Sequence, residues 1–107
     1  MLAYTVAAQF TDPNVALEWL DWLKGGHVEE VLAGGAISAQ IVLIENDQDA
    51  MKKFEVRYLF PDGDAFKSYE SLLAPRLRED GLKKFPPERG VTYRRTVGHV
   101  LATWPAR

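Results

Sequence analysis

The stretch from Trp19 to Gly35, WLDWLKGGHVEEVLAGG, can be built in few ways. Its apolar residues recur at helical spacing, so Ala16, Leu20, Leu23, His27 and Val31 share one stripe with Trp19 on its flank. The stripe carries an imidazole towards the core. Gly25 and Gly26 interrupt it, each costing about 1 kcal/mol against alanine inside a helix. A kink or break is expected there, followed by a short second helix carrying His27 and closed by Gly34-Gly35 as a C-cap.

The flanking sequence sets this helical unit between strands. Leu2 to Phe10 is apolar, β-branched and aromatic, and Thr11-Asp12-Pro13 supplies the turn, with Asp12 as the cap and Pro13 at the first helical position. Helix one then runs to about Leu32. Ala36 to Glu45 and Lys53 to Phe60 read as two strands joined through Asn46-Asp47-Gln48-Asp49, which makes a hairpin. Pro61-Asp62-Gly63-Asp64 opens helix two, whose stripe is Phe66, Tyr69, Leu73 and Leu77. Pro75 should break or kink it near Ala74, and Gly81 is expected to end it. A basic, proline-containing loop from Leu82 to Gly90 leads to a final strand, Val91 to Trp104.

The order β-α-β-β-α-β, with right-handed crossovers, predicts an α+β ferredoxin-like domain: a four-stranded antiparallel sheet with two main helices on one face. With 107 residues, a single domain over 1–107 is expected. The other face of such a sheet should be polar, yet strand one offers Ala3, Thr5 and Ala7 there. Strand two is apolar in both phases, Val42 and Ile44 in one and Ile37, Ala39, Ile41 and Leu43 in the other. No further element of the chain can cover that face, so a two-fold homodimer with sheets packed together is expected. Ile37, Ala39, Ile41 and Leu43 would be buried in a largely apolar interface if theirs is the outward phase.

Charge and composition exclude several function classes. Fifteen acidic against thirteen basic residues leave a net charge of −2, which favours neither nucleic acid nor an anionic membrane as partner. The cluster Lys83-Lys84 to Arg89, with Arg76 and Arg78, is interrupted by Glu79, Asp80 and Glu88 and reads as a solvated face. Absence of cysteine removes disulfides, thiolate nucleophiles and cysteine-ligated metals. No basic n-region precedes the first apolar run and no run approaches a spanning length, so the expected setting is cytoplasmic. Serines 38, 68 and 71 lie in no nucleophile elbow, and no glycine-rich phosphate loop is present.

A family resemblance is carried by Tyr4-x-Val6, Trp19-Leu20-x-Trp22, His27-x-x-Glu30-Val31-Leu32-Ala33-x-Gly35, Val56-x-Tyr58, Tyr69, Ala74-Pro75-x-Leu77-Arg78 and Arg95-Thr96. The chain resembles an uncharacterised bacterial family of short domain-of-unknown-function proteins within the dimeric α/β-barrel superfamily. Gly25-Gly26 departs from the polar helix formers expected in such relatives. The resemblance implies a dimeric barrel; its wider superfamily includes small monooxygenases, haem-degrading enzymes and stress-induced proteins, so it does not choose a function.

The chemical candidates are few. His27, with an ordinary pKa near 6.5, suits either a hydrogen-bonded core position or a ligand-contacting, acid–base role at a pocket mouth, and is the one catalytic candidate. His27 with Glu30, and at a stretch His99, is too thin a set to assign a metal, and no cofactor is assigned. Arg95 shares its strand phase with Tyr93, Val97, His99 and Leu101. If that phase faces the helices, Arg95 is an anchor for a carboxylate or phosphate; the bland alternative is an ion pair with Glu30 or Glu55, or a cation snorkelling at the rim. Tyr4 and Tyr58 fall in the core phase of their strands.

Together these residues predict a pocket between helices and sheet, with His27, Arg95, Tyr58, Tyr4 and Trp19 as ligand-binding candidates. The expected function is a small-molecule-binding or stress-associated homodimer. The alternative is a cofactor-free oxygenase or isomerase acting on a planar aromatic or anionic substrate.

Overall fold

The computed structural model describes residues 1–45 and 52–105. Strand β1 (Leu2–Phe10) leads through the Asp12 cap, whose Oδ1 accepts from the Asn14 amide at 2.9 Å, into helix α1 (Pro13–Trp22). A π-helical turn, Leu23–His27, follows, and then the short helix α2 (Val28–Ala33). The expected break falls at Gly26, whose φ of 141° is open to glycine and strained for any other residue. His27 closes the π turn and sits at the N-cap of α2, a position more N-terminal than the helix interior expected for it.

Strand β2 (Ser38–Ile44) and strand β3 (Lys52–Phe60) pair antiparallel, and the connection expected over Asn46 to Asp49 lies outside the described residues. Helix α3 (Gly63–Leu72) is capped by Asp62 Oδ1, which accepts from the Ala65 amide at 2.8 Å. Leu73 leaves helical geometry and helix α4 (Ala74–Lys84) restarts with Pro75 in its first turn, where a missing N–H costs nothing. Strand β4 (Val91–His99) completes the fold.

Two boundaries differ from expectation. Gly81 does not end helix two: α4 continues to Lys84, and the glycine serves a close approach, since a Cβ there would stand 3.2 Å from the Trp22 ring. The last strand stops at His99, which pairs with Leu2 at the start of β1, and one further bond runs from the Val100 amide to the Met1 carbonyl. Leu101 and Trp104, 95% and 82% exposed, trail beyond the sheet.

The sheet order is β2-β3-β1-β4, antiparallel throughout, with the helices on one face, the ferredoxin-like βαββαβ arrangement. Tyr4, Val6 and Ala8 face the helices, and register places Val56 and Arg95 on either side of Val6. The same register sets Ala39 beside Tyr58 and Ile41 beside Val56, on the helical side. The phase of Ile37, Ala39, Ile41 and Leu43 is therefore the helix-facing one, and the condition under which these four would be buried between two sheets is not met. Strand two was ambiguous because both of its phases are apolar, and a one-residue choice exchanges the two faces. The open face instead carries Gln40, Val42, Ala3, Thr5, Ala7, Arg94 and the Glu55–Arg57 ion pair (2.9 Å), so it is mixed where a largely apolar one was expected. Among the described residues no helix is long and apolar enough to cross a membrane.

Candidate functional site

Beneath α1 and α4, the centre of the sheet fails to close. A cavity with about 50 Å³ of room for water-sized spheres remains there, enough for several waters at roughly 10–15 Å³ each. All five residues expected from the sequence, Tyr4, Trp19, His27, Tyr58 and Arg95, border it. Each arrives from a different constraint. Tyr4 and Tyr58 stand opposite each other across the β1–β3 ladder, their ring centroids 6.0 Å apart. Trp19 is buried against Phe10 at 5.3 Å and supplies an indole edge. The π turn brings round His27, whose ring stacks on Trp22 with centroids 4.0 Å apart.

Burial dominates the electrostatics. The half-buried His27 imidazole has its pKa pushed down to about 4 by loss of water; Glu30 and Asp80 pull it back up, and Arg95 adds to the fall. It is neutral at physiological pH. Burial likewise pushes the Tyr58 hydroxyl up, and those of Tyr69 and Tyr93 up to about 12, so all three stay protonated. The Tyr93 hydroxyl donates to the Phe85 carbonyl at 3.2 Å.

The cations are arranged differently from either ion pair expected for Arg95. Glu30 is held by Arg76 at 2.9 Å and Glu55 by Arg57 at 2.9 Å. Arg95 projects from the helix-facing phase of β4 with its guanidinium 5.9 Å from the Tyr93 ring centroid, and no described carboxylate pairs with it. Opposite, Arg78 reaches in from α4: its Nη2 donates to the Tyr4 hydroxyl at 3.3 Å and to Glu70 at 3.4 Å, while its enclosed Nε has no acceptor.

Arg78, Trp22, Tyr69 and Tyr93 border the cavity without having been singled out as site residues. Arg78 was read with the solvated basic face, yet a signal existed: Ala74, Arg78 and Gly81 share a helix face by i, i+4, i+7 spacing, and small neighbours on both sides leave room around a large cation. Among the described residues no group of three His, Asp or Glu side chains could hold a metal ion. A shallower apolar groove between the π turn and β2, lined by Leu23, Val28, Ala39 and Ile41, is rimmed only by Lys24 and Glu29.

Residues 1–100 match the DUF4286 family, a domain of unknown function. The chain belongs to that family. No curated protein matches it in sequence. Among solved structures it is similar to a dimeric ferredoxin-like protein from an uncultured marine organism (16% identity, TM-score 0.75, covering 99% of this chain and 100% of that one). A second dimeric ferredoxin-like protein of marine origin matches at 14% identity and TM-score 0.74, covering 96% of this chain and 97% of that one. SnoaB, a cofactor-independent oxygenase from Streptomyces nogalater, matches at 14% identity and TM-score 0.65, covering 98% of each chain. At such identities these likenesses establish the ferredoxin-like fold of this DUF4286 domain and leave its chemistry open.

Proposed function

We propose that this DUF4286 protein is a small-molecule-binding homodimer, in a cytoplasmic setting, whose ligand occupies the cavity between helices and sheet. The observation that supports it is the convergence of His27, Tyr4, Tyr58, Arg78 and Arg95, from five separate elements, on one space walled by Val6, Leu23 and Val56. An apolar cavity with a few converging polar groups is the usual form of a ligand site. The dimer is supported by the dimeric state of the two marine relatives and by the uncovered Leu101 and Trp104. Sedimentation should give a dimer at micromolar concentration, and Ala7→Arg, at the centre of the open sheet face, should shift it to monomer.

A second reading is a cofactor-free oxygenase or isomerase, favoured by His27 at the cavity wall and by the fold shared with SnoaB. A general base works best with a pKa near the operating pH. An imidazole held at about 4 is a weak proton acceptor at neutrality, which favours binding over turnover. The test is a thermal-shift screen of planar aromatic and anionic compounds against the native protein and His27→Ala. Binding should raise the Tm of the native protein, and the shift should shrink in the variant. No compound shifting the native protein, or equal shifts in both, would count against the pocket. Consumption of a bound compound in air would favour the enzyme.

A further inference from the structure

The protein is acidic overall, but the cavity is not. Its lining contains two guanidinium groups, Arg78 and Arg95, and no Asp or Glu side chain, in a chain with more acidic than basic residues. The imidazole and phenols beside them are uncharged at neutral pH, so nothing within the cavity balances the cations. Arg78 has part of its charge met outside the cavity by Glu70, whereas Arg95 has no such partner among the described residues. A planar guanidinium fork left free above an aromatic ring is suited to bidentate capture of a carboxylate. Much of the remaining lining is apolar, Val6, Leu23, Val56 and Leu77 among it.

We propose that the cavity binds a small monocarboxylic acid, its carboxylate on Arg95 and its compact apolar body, a short chain of a few carbons, between the Tyr4–Tyr58 pair and Trp22. This rests on the cavity being a binding site, and adds the ligand's charge and size. Arg78 is a positioning residue in this arrangement, holding the Tyr4 hydroxyl at 3.3 Å and setting the Tyr4 ring as one wall. The limited room favours a body of a few carbons over a ring, which takes a cavity of roughly 150 Å³. Because Arg78 is already met by Glu70, Arg95 is the cation left for a ligand, which suits a monoanion better than a dianionic phosphate.

The test is a titration of the native protein and Arg95→Gln with isobutyrate, its neutral isostere isobutyramide, and isopropyl phosphate, followed by NMR at the indole N–H groups. Isobutyrate should perturb the Trp22 indole and bind at least about tenfold tighter than isobutyramide, the worth of one charge-assisted contact. Arg95→Gln should remove that advantage and leave isobutyramide binding unchanged. Equal affinity for isobutyrate and isobutyramide, tighter binding of isopropyl phosphate, or indifference to Arg95→Gln would overturn the carboxylate assignment while the pocket stands. No perturbation of Trp22 by any of the three at millimolar concentration would overturn the pocket as well.

Discussion

The helical side of the sheet holds two neighbouring regions built from similar side chains and finished differently. Where β1 ends and β3 begins, Phe10, Trp19 and Phe54 interlock with centroids 5.3 to 6.2 Å apart, and all three are buried. One row along, Val6 and Val56 lie between the ring pairs, and the space above them is left to His27, Arg78, Arg95 and the tyrosine hydroxyls. The chain can therefore seal this sheet with aromatic rings. The opening at its centre follows from polar tips that cannot be packed dry without partners, among them the imidazole that the π turn carries to the cavity wall.

The contrast is most severely tested by truncation on the sealed side. Phe10→Ala should cost about 3–5 kcal/mol in urea denaturation, as for other fully buried large rings; a loss near that of a surface substitution would mean that this end is not the anchor. On the open side His27→Ala should cost clearly less, because the ring is half-buried and its neighbour Trp22 keeps its contact with Phe85 at 5.6 Å.

The next effect depends on pH. Folding lowers the His27 pKa from 6.5 to about 4, so the unfolded chain takes up this proton first. Stability is full above pH 6.5, falls as pH drops from 6.5 to 4, and gains no further loss from this group below that. Glu30 and Asp80, on α2 and α4, moderate the fall and Arg95 on β4 deepens it. The native protein should lose about 1–2 kcal/mol more over that window than His27→Gln, a figure discounted for the ring's partial exposure. Parallel profiles for the two proteins would show that the imidazole is not desolvated.

Smaller still is the effect of Tyr4→Phe, which removes the hydroxyl that Arg78 Nη2 donates to and should cost about 1 kcal/mol, since Glu70 still meets the same nitrogen. Arg95→Gln should change stability by no more than about 0.5 kcal/mol, because its side chain is exposed and has no protein carboxylate to lose. A marked loss there would point to a structural cation instead of one kept free for a ligand.

Much of this contrast is legible in the sequence, because it depends on periodicity. Alternation along β1 and β3 places Tyr4 and Tyr58 on the core side, and the phase of β4 carries Arg95 with them. The Gly25-Gly26 pair announces the break that positions His27. What periodicity cannot supply is a neighbour from a distant element. Strand β2 is apolar in both phases, so only its ladder with β3 decides that Ile41 faces the helices. Gly81 carries the usual mark of a helix end, yet its reason for being glycine is Trp22, on a different helix. Arg78 shows the same limit: with acidic residues next to it in sequence it reads as solvated, and only packing α4 over β1 brings it to the Tyr4 hydroxyl.

The central claim, that the open region rather than any other surface receives a small molecule, is tested most directly by the three indole N–H resonances. Trp22 and Trp19 border the cavity, while Trp104 stands 82% exposed beyond the sheet and serves as an internal control. On titration with a compound that raises the Tm, the Trp22 resonance should move most, that of Trp19 should follow, and that of Trp104 should stay in place. Movement of Trp104 with Trp22 and Trp19 unchanged would contradict the account.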